Sequence, residues 1–170
     1  VHSALRQLPM KTKGLILALG AAVALAAAPS APPRFTVVEA SITDMQRALQ
    51  QHRVSSHELV QQSLTRIALY EDRLNAIIYV NPRAFEEADE RDRERAAGRV
   101  RGPLHGIPIA LKDNIQTRDM PTTGGALAFA GLMPPYDATV TRNLRDAGAI
   151  IIAKTQLTEL ANWVTVGMPA

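Results

Sequence analysis

The sequence predicts an α/β fold in which a parallel sheet is covered by helices. Two segments, "HGIPIALK" (105–112) and "AIIIAK" (149–154), are apolar without the alternation expected of a strand that has one face in water. Between them, "TVTRNLRDAGA" (139–149) has the pattern of a helix that ends at Gly148. A strand–helix–strand order with continuously apolar strands is typical of a parallel sheet buried on both faces.

The segment before these strands predicts three helices and one short strand. Two helices are expected within residues 42–74, with Thr43–Gln46 and Ser55–Glu58 as capping-box pairs. "NAIIYV" (75–80) has the β-branched composition of a strand. A third helix is expected to begin at Pro82 and to stop at Gly98, and its charged residues predict a solvated surface helix.

Two further segments complete the predicted fold. "TTGGALAFAG" (122–131) is rich in glycine but lacks the lysine and hydroxyl residue of a phosphate-binding loop, so a close-packed turn is expected there. "TQLTELAN" (155–162) is expected to begin a short helix.

Composition and charge exclude several classes of function. The chain of 170 residues has no cysteine, which excludes disulfides and thiolate chemistry. Three of the 19 basic residues lie within residues 1–28, so the remainder carries 16 basic and 16 acidic residues. A neutral body argues against a nucleic-acid partner. His52, His57 and His105 lack metal-ligand spacing and are expected to be surface or turn residues, so neither a metal nor a cofactor is expected.

Residues 1–31 predict a leader that directs export. From Met10 the chain has a basic start, an apolar run over residues 14–28 and small residues after it, which is the layout of a secretory signal peptide. Residues 1–9 are interpreted as lying upstream of the true start. We expect a periplasmic or secreted protein with no stable membrane partner after cleavage, and an uncleaved anchor is the alternative. The domain is expected to begin at residue 34, after a proline-rich linker.

One lysine lies in an unusual context. Lys112 ends the apolar segment "GPLHGIPIALKDNI" (102–115), and α/β sheets bind ligands at the carboxyl ends of their strands. A lysine partly removed from water there loses affinity for its proton and becomes available as a general base. The alternative is a lysine that extends to the surface. Asp113 is adjacent, so along a strand its side chain points to the opposite face.

The segment from Gly98 to Asn162 closely resembles the amidase signature family. "GIPIALKDNI", the paired Thr122 and Thr123, and "DAGAIIIAKT" occur in that family's order and spacing. The resemblance implies a mixed, twisted sheet flanked by helices and preceded by an N-terminal helical segment. It also implies hydrolysis of a small-molecule amide through a lysine, a serine in a cis peptide and a nucleophilic serine, with Lys112 as the catalytic lysine. Backbone amides near a glycine-rich turn would then hold the oxyanion.

The sequence departs from the family pattern in two respects. Gly124-Gly125-Ala126 and Gln156 replace residues that are frequent in the family, and Lys154 matches none of its catalytic positions. The glycine- and serine-rich segment that carries both catalytic serines is not found in these 170 residues. We therefore expect the N-terminal part of an exported amidase, truncated before that segment and inactive alone. A non-catalytic exported binding module built from half of the fold is the alternative hypothesis.

Overall fold

The computed structural model describes residues 34–162. The predicted leader, residues 1–31, lies outside the described residues. Within residues 34–162, no helix is both long and apolar enough to cross a membrane.

Two helices open the described chain, as the sequence predicts. α1 spans Ile42–Gln50 and α2 spans Ser56–Leu74. The predicted Ser55–Glu58 capping box is present at α2. The predicted Thr43–Gln46 box is wrong, because Ser41 caps α1 and Asp44 returns the hydrogen bond to the Ser41 backbone. The Asp44 carboxylate accepts from the Ser41 amide, as glutamate or glutamine does in the usual box, and Ser41 Oγ accepts from the Asp44 amide.

α3 spans Ala84–Ala96 and begins two residues later than predicted. Pro82 lies in the preceding turn, where the Asn81 side chain accepts a hydrogen bond from the Arg83 amide at 2.8 Å. The interpretation of α3 as a purely solvated helix is wrong on one face, because Ala84, Ala88 and Arg91 are buried. Arg91 is held there by ion pairs with glutamates of the same helix.

Within residues 34–162, three strands form a mixed sheet in the order β1–β3–β2. β1 spans Ile77–Val80, β2 spans Pro108–Lys112 and β3 spans Ile150–Thr155. β3 pairs with β2 in parallel, as predicted, and with β1 in antiparallel orientation. α4, at Thr139–Asp146, is the predicted helix between the two parallel strands.

β3 is covered on both faces. Ile150 and Ile152 pack in a cluster with apolar residues of α2 and α3, whereas Ile151 packs with Leu111 and Met120 and against Leu144 of α4. A strand with this environment has no solvated face, which explains its unbroken apolar sequence. Residues 150–153 are accordingly all buried.

Residues 122–131 and 155–162 each contain a single 3-10 turn. One covers Leu127–Phe129, and the other, Glu159–Ala161, replaces the short helix predicted over residues 155–162. Leu160 has a φ of +51° and Ala161 has a φ of +56°. These left-handed conformations prevent a helix from continuing.

Candidate active site

Lys112 is the last residue of β2, at the edge where the parallel strands β2 and β3 both end. It is paired in register with Thr155 at the end of β3. Its Nζ donates a hydrogen bond of 2.6 Å to the carbonyl oxygen of Gln156, the residue that follows β3. The side chain is exposed in this chain, so the expected partial burial of Lys112 is not observed.

Asp113 points away from Lys112, as the strand periodicity predicts. It is fully buried. Its Oδ2 accepts hydrogen bonds from the backbone amide of Thr123, at 3.0 Å, and from the Thr123 hydroxyl. Its own amide donates to the carbonyl of Thr155. Asp113 thus connects the end of β2 both to the end of β3 and to the turn at residues 121–125.

Lys154 is the buried lysine of this site, a role that its sequence motif did not predict. It has no exposed surface. Its Nζ donates to Thr122 Oγ1 at 2.7 Å and to the Pro121 carbonyl at 3.2 Å. The Asp113 Oδ1 atom lies 3.3 Å away, which is an ion pair without hydrogen-bond alignment. Burial lowers the pKa of Lys154, and the neighbouring Asp113 carboxylate acts in the opposite direction.

The sequence around Lys154 indicates its burial, although the family motif assigns it no role. "AIIIAK" has no polar face, so any residue within it lies in a central strand, including its lysine. A buried ammonium group requires an anion and further acceptors. Asp113 supplies the anion, and Thr122 Oγ1 and the Pro121 carbonyl supply the acceptors.

The Gly124–Gly125 turn is close-packed, as predicted. Both glycines have positive φ, and a Cβ atom on Gly125 would lie 2.7 Å from the carbonyl oxygen of Leu157. The amide of Gly124 donates to the Asp113 carbonyl, and that of Gly125 donates to Thr123 Oγ1. The Ala126 amide donates to the Thr123 carbonyl. Because all three amides are occupied internally, this turn does not offer an oxyanion-binding site.

A cavity of about 470 Å³ adjoins this turn. Its lining is mainly apolar and includes residues of β1, Asp113 and the chain from Pro121 to Gly131. Asp113 of the buried pair thus lines this cavity, whereas Lys112 is not among the lining residues. A mainly apolar cavity with a few polar groups suits the binding of a small organic molecule.

The histidines do not contribute to this arrangement. His52 lies in an exposed turn, and His57 contacts Asp89. His105 lies in a turn, which its prediction as a surface or turn residue allows, and its side chain is buried. The Nε2 atom of His105 lies 2.9 Å from the Arg91 carbonyl. Among the described residues, no group of three or more potential metal ligands is present.

Comparisons with known proteins show what this arrangement resembles. A family model described as Amidase matches residues 58–169. The native peptide amidase from Stenotrophomonas maltophilia superposes with a TM-score of 0.71 at 49% identity, over 73% of this chain and 26% of that enzyme. An amidase family protein from Bacillus anthracis str. Ames superposes with a TM-score of 0.72 at 34% identity, over 78% and 27%.

A curated relative adds a second type of protein. A glutamyl-tRNA(Gln) amidotransferase subunit from Thermobifida fusca (strain YX) is 41% identical over 126 residues, which is 74% of this chain and 25% of that protein. The chain therefore spans about a quarter of the length of the curated relatives it matches.

Proposed function

Because this chain belongs to the amidase family, we propose that it is the N-terminal part of a longer enzyme that hydrolyses the C–N bond of a carboxylic amide. The observation that carries the proposal is the placement of Lys112. It ends a parallel strand at the carboxyl end of the sheet, where α/β sheets generally bind ligands, and a backbone carbonyl accepts a hydrogen bond from its Nζ. We also propose that Lys112 is the catalytic lysine, which its position in the family motif supports.

The proposed chemistry requires Lys112 in its neutral form. One N–H group remains bonded to the Gln156 carbonyl, and the lone pair then accepts a proton from a bridging serine. That serine takes the proton of a second serine, whose oxygen attacks the amide carbonyl and forms an acyl-enzyme. Proton return to the leaving nitrogen releases the amine, and water then hydrolyses the ester. Both serines belong to the proposed remainder of the protein, which would also cover Lys112.

We propose two alternatives to amide hydrolysis. The amidotransferase subunits among the relatives favour a role in amide transfer rather than hydrolysis, although a leader that directs export argues against it. A non-catalytic binding module built from half of the fold is the second alternative. Sequencing the coding region beyond residue 170 distinguishes an enzyme from a binding module, since a Gly/Ser-rich segment there supports an enzyme.

Variants of Lys112 test the proposed function in the full-length protein. Lys112→Ala is expected to lower kcat by about 10²–10⁴-fold, the effect of losing a general base. Lys112→Arg is expected to fail nearly as severely, because a guanidinium group stays protonated. Arg66→Ala removes the same charge from the exposed surface of α2 and serves as the control.

The readout is steady-state hydrolysis of a series of simple amides and peptide amides. Substantial activity in Lys112→Arg would show that the residue acts as a fixed charge, and would refute the proposed mechanism. The 170-residue chain, assayed alone beside the full-length enzyme, is expected to be inactive. Stoichiometric labelling of one of its serines by a fluorophosphonate would contradict that expectation.

The leader supports a proposal of export to the periplasm or the medium. Protein recovered from the cell envelope is expected to begin between residues 27 and 33. An intact Met10 terminus on protein from the cytoplasm would contradict export.

A further inference from the structure

We infer that Asp113, Lys154 and the hydroxyl groups of Thr122 and Thr123 form a positioning cluster that fixes Lys112 relative to the Gly124–Gly125 turn. The inference rests on the proposed function, because it assigns the cluster a role in holding the proposed base. None of these four residues is proposed to touch the substrate's reacting atoms.

The positioning cluster joins three separate segments of chain. Asp113 directly follows Lys112 at the end of β2, and Lys154 lies near the end of β3. The two threonines belong to the turn between them, and each binds one of the two charged groups. The cluster therefore lies where β2, β3 and the glycine turn meet.

Lys112 is held by one of these three segments. Its Nζ donates to the carbonyl of Gln156, two residues beyond Lys154. The Gln156 amide in turn donates to the Ala76 carbonyl at 2.8 Å, next to β1. The position of the Lys112 amine thus depends on the backbone conformation just after β3. The Asp113–Lys154 ion pair holds this part of the chain against the end of β2.

Thr123 connects the buried charges to the glycine turn. Its Oγ1 donates to the Asp113 carboxylate and accepts a hydrogen bond of 3.1 Å from the Gly125 amide. Gly125 packs directly against the Leu157 carbonyl, in the segment that holds Lys112. One hydroxyl group therefore couples the buried charges to the turn and, through it, to the support of Lys112.

The chemical nature of the cluster also favours positioning. A charged pair without exposed surface costs desolvation energy and gives little net stability, but its directional contacts specify one arrangement. Thr122, Pro121 and Asp113 together surround the Lys154 ammonium group. An apolar core at this point would fill the same space without fixing the three segments in register.

The experiment compares Thr123→Val with Thr123→Ser in the full-length protein. Valine keeps the shape and removes the hydroxyl group, whereas serine keeps the hydroxyl group. Thr123→Val is expected to lower kcat by about 10- to 100-fold, the cost of a misplaced catalytic group, with KM within about threefold. Thr123→Ser is expected to retain most activity. Thr65→Val, on the exposed surface of α2, is the control for the same substitution.

A second readout does not depend on turnover. An amine-reactive acetylating reagent modifies Lys112 at a rate that peptide mass spectrometry measures and that depends on the surroundings of the amine. This rate is expected to change at least about threefold in Thr123→Val and to return in Thr123→Ser. A folded Thr123→Val protein with unchanged kcat or an unchanged Lys112 modification rate would overturn the inference. If Lys112→Ala remains active, the proposed function fails, and the modification rate still decides whether the cluster positions Lys112.

Discussion

Replacing Lys154 by methionine tests how much the buried pair costs when one partner is lost. Methionine has a similar length and no charge, so the change removes the ion pair to Asp113 and the hydrogen bonds to Thr122 and Pro121. It leaves a carboxylate with no exposed surface, which the amide and hydroxyl of Thr123 still contact. Breaking a buried pair in this way destabilises proteins by about 3–5 kcal/mol.

The assay is urea unfolding of the full-length protein, followed by far-UV circular dichroism. Lys154→Met is expected to lower the free energy of unfolding by about 3–5 kcal/mol. The double variant Lys154→Met with Asp113→Asn removes both charges and is expected to recover most of that loss. Arg99→Met, a change of the same kind on the surface, is expected to stay within about 0.5 kcal/mol of the parent.

Two outcomes would refute this reasoning. The first is a loss below about 1 kcal/mol in Lys154→Met, which would show that the Asp113 carboxylate finds solvent or another partner. The second is a double variant as unstable as the sum of the two single variants, which would show that the charges are not coupled.

Two further predictions concern stability elsewhere in the fold. Burial lowers the pKa of His105 from its ordinary value of 6.5. The unfolded chain therefore takes up a proton that the folded chain resists, and the free energy of unfolding is expected to fall as the pH drops below about 6.5. His105→Gln is expected to reduce this slope between about pH 7 and 5, and His52→Asn, in an exposed turn, is expected to leave it unchanged; equal slopes in all three proteins would contradict the assignment. Gly148→Ala is expected to be far more destabilising than Gly98→Ala. Both glycines have positive φ, but a Cβ atom on Gly148 would lie 2.6 Å from His105 Cα, whereas the one on Gly98 would meet nothing within 4 Å. Thermal melting measures the difference. Similar melting temperatures for the two variants would show that the backbone near His105 shifts to accommodate the added Cβ atom.

The parts of the fold with local sequence signals could be predicted. The Ser55–Glu58 box, the apolar run of β3 and the helix between β2 and β3 each depend on residues close together in sequence. The errors at the start of α1 and of α3 concern end positions, which depend on a few hydrogen bonds that several residue types can make. Over residues 155–162, contacts with the glycine turn outweigh helix propensity, since the Leu160 amide donates to the Gly124 carbonyl at 2.7 Å.

For the candidate site, the sequence motif predicts Lys112 as the catalytic lysine, and this stays a prediction. Strand periodicity predicts that Lys112 and Asp113 lie on opposite faces, and the structure has Lys112 exposed and Asp113 buried. The burial of Lys154 could not be deduced in the same way, because it depends on pairing between residues 41 positions apart, Asp113 and Lys154. The exposure of Lys112 likewise depends on which parts of the protein pack over the ends of β2 and β3. The residues next to Lys112 in the sequence do not determine this packing.

The hydrogen bond from Lys112 to Gln156 also sets an order of events during synthesis. The two residues are 44 positions apart, so the lysine leaves the peptidyl-transferase centre before its partner exists. At about 5–20 residues per second, the interval is roughly 2–9 s, during which α1 and α2 can already form from local contacts. Lys112 therefore lacks the backbone carbonyl that orients its amine until all of β3 and Gln156 have been synthesised. A pause in translation between codons 112 and 156 would lengthen the interval before this hydrogen bond can form.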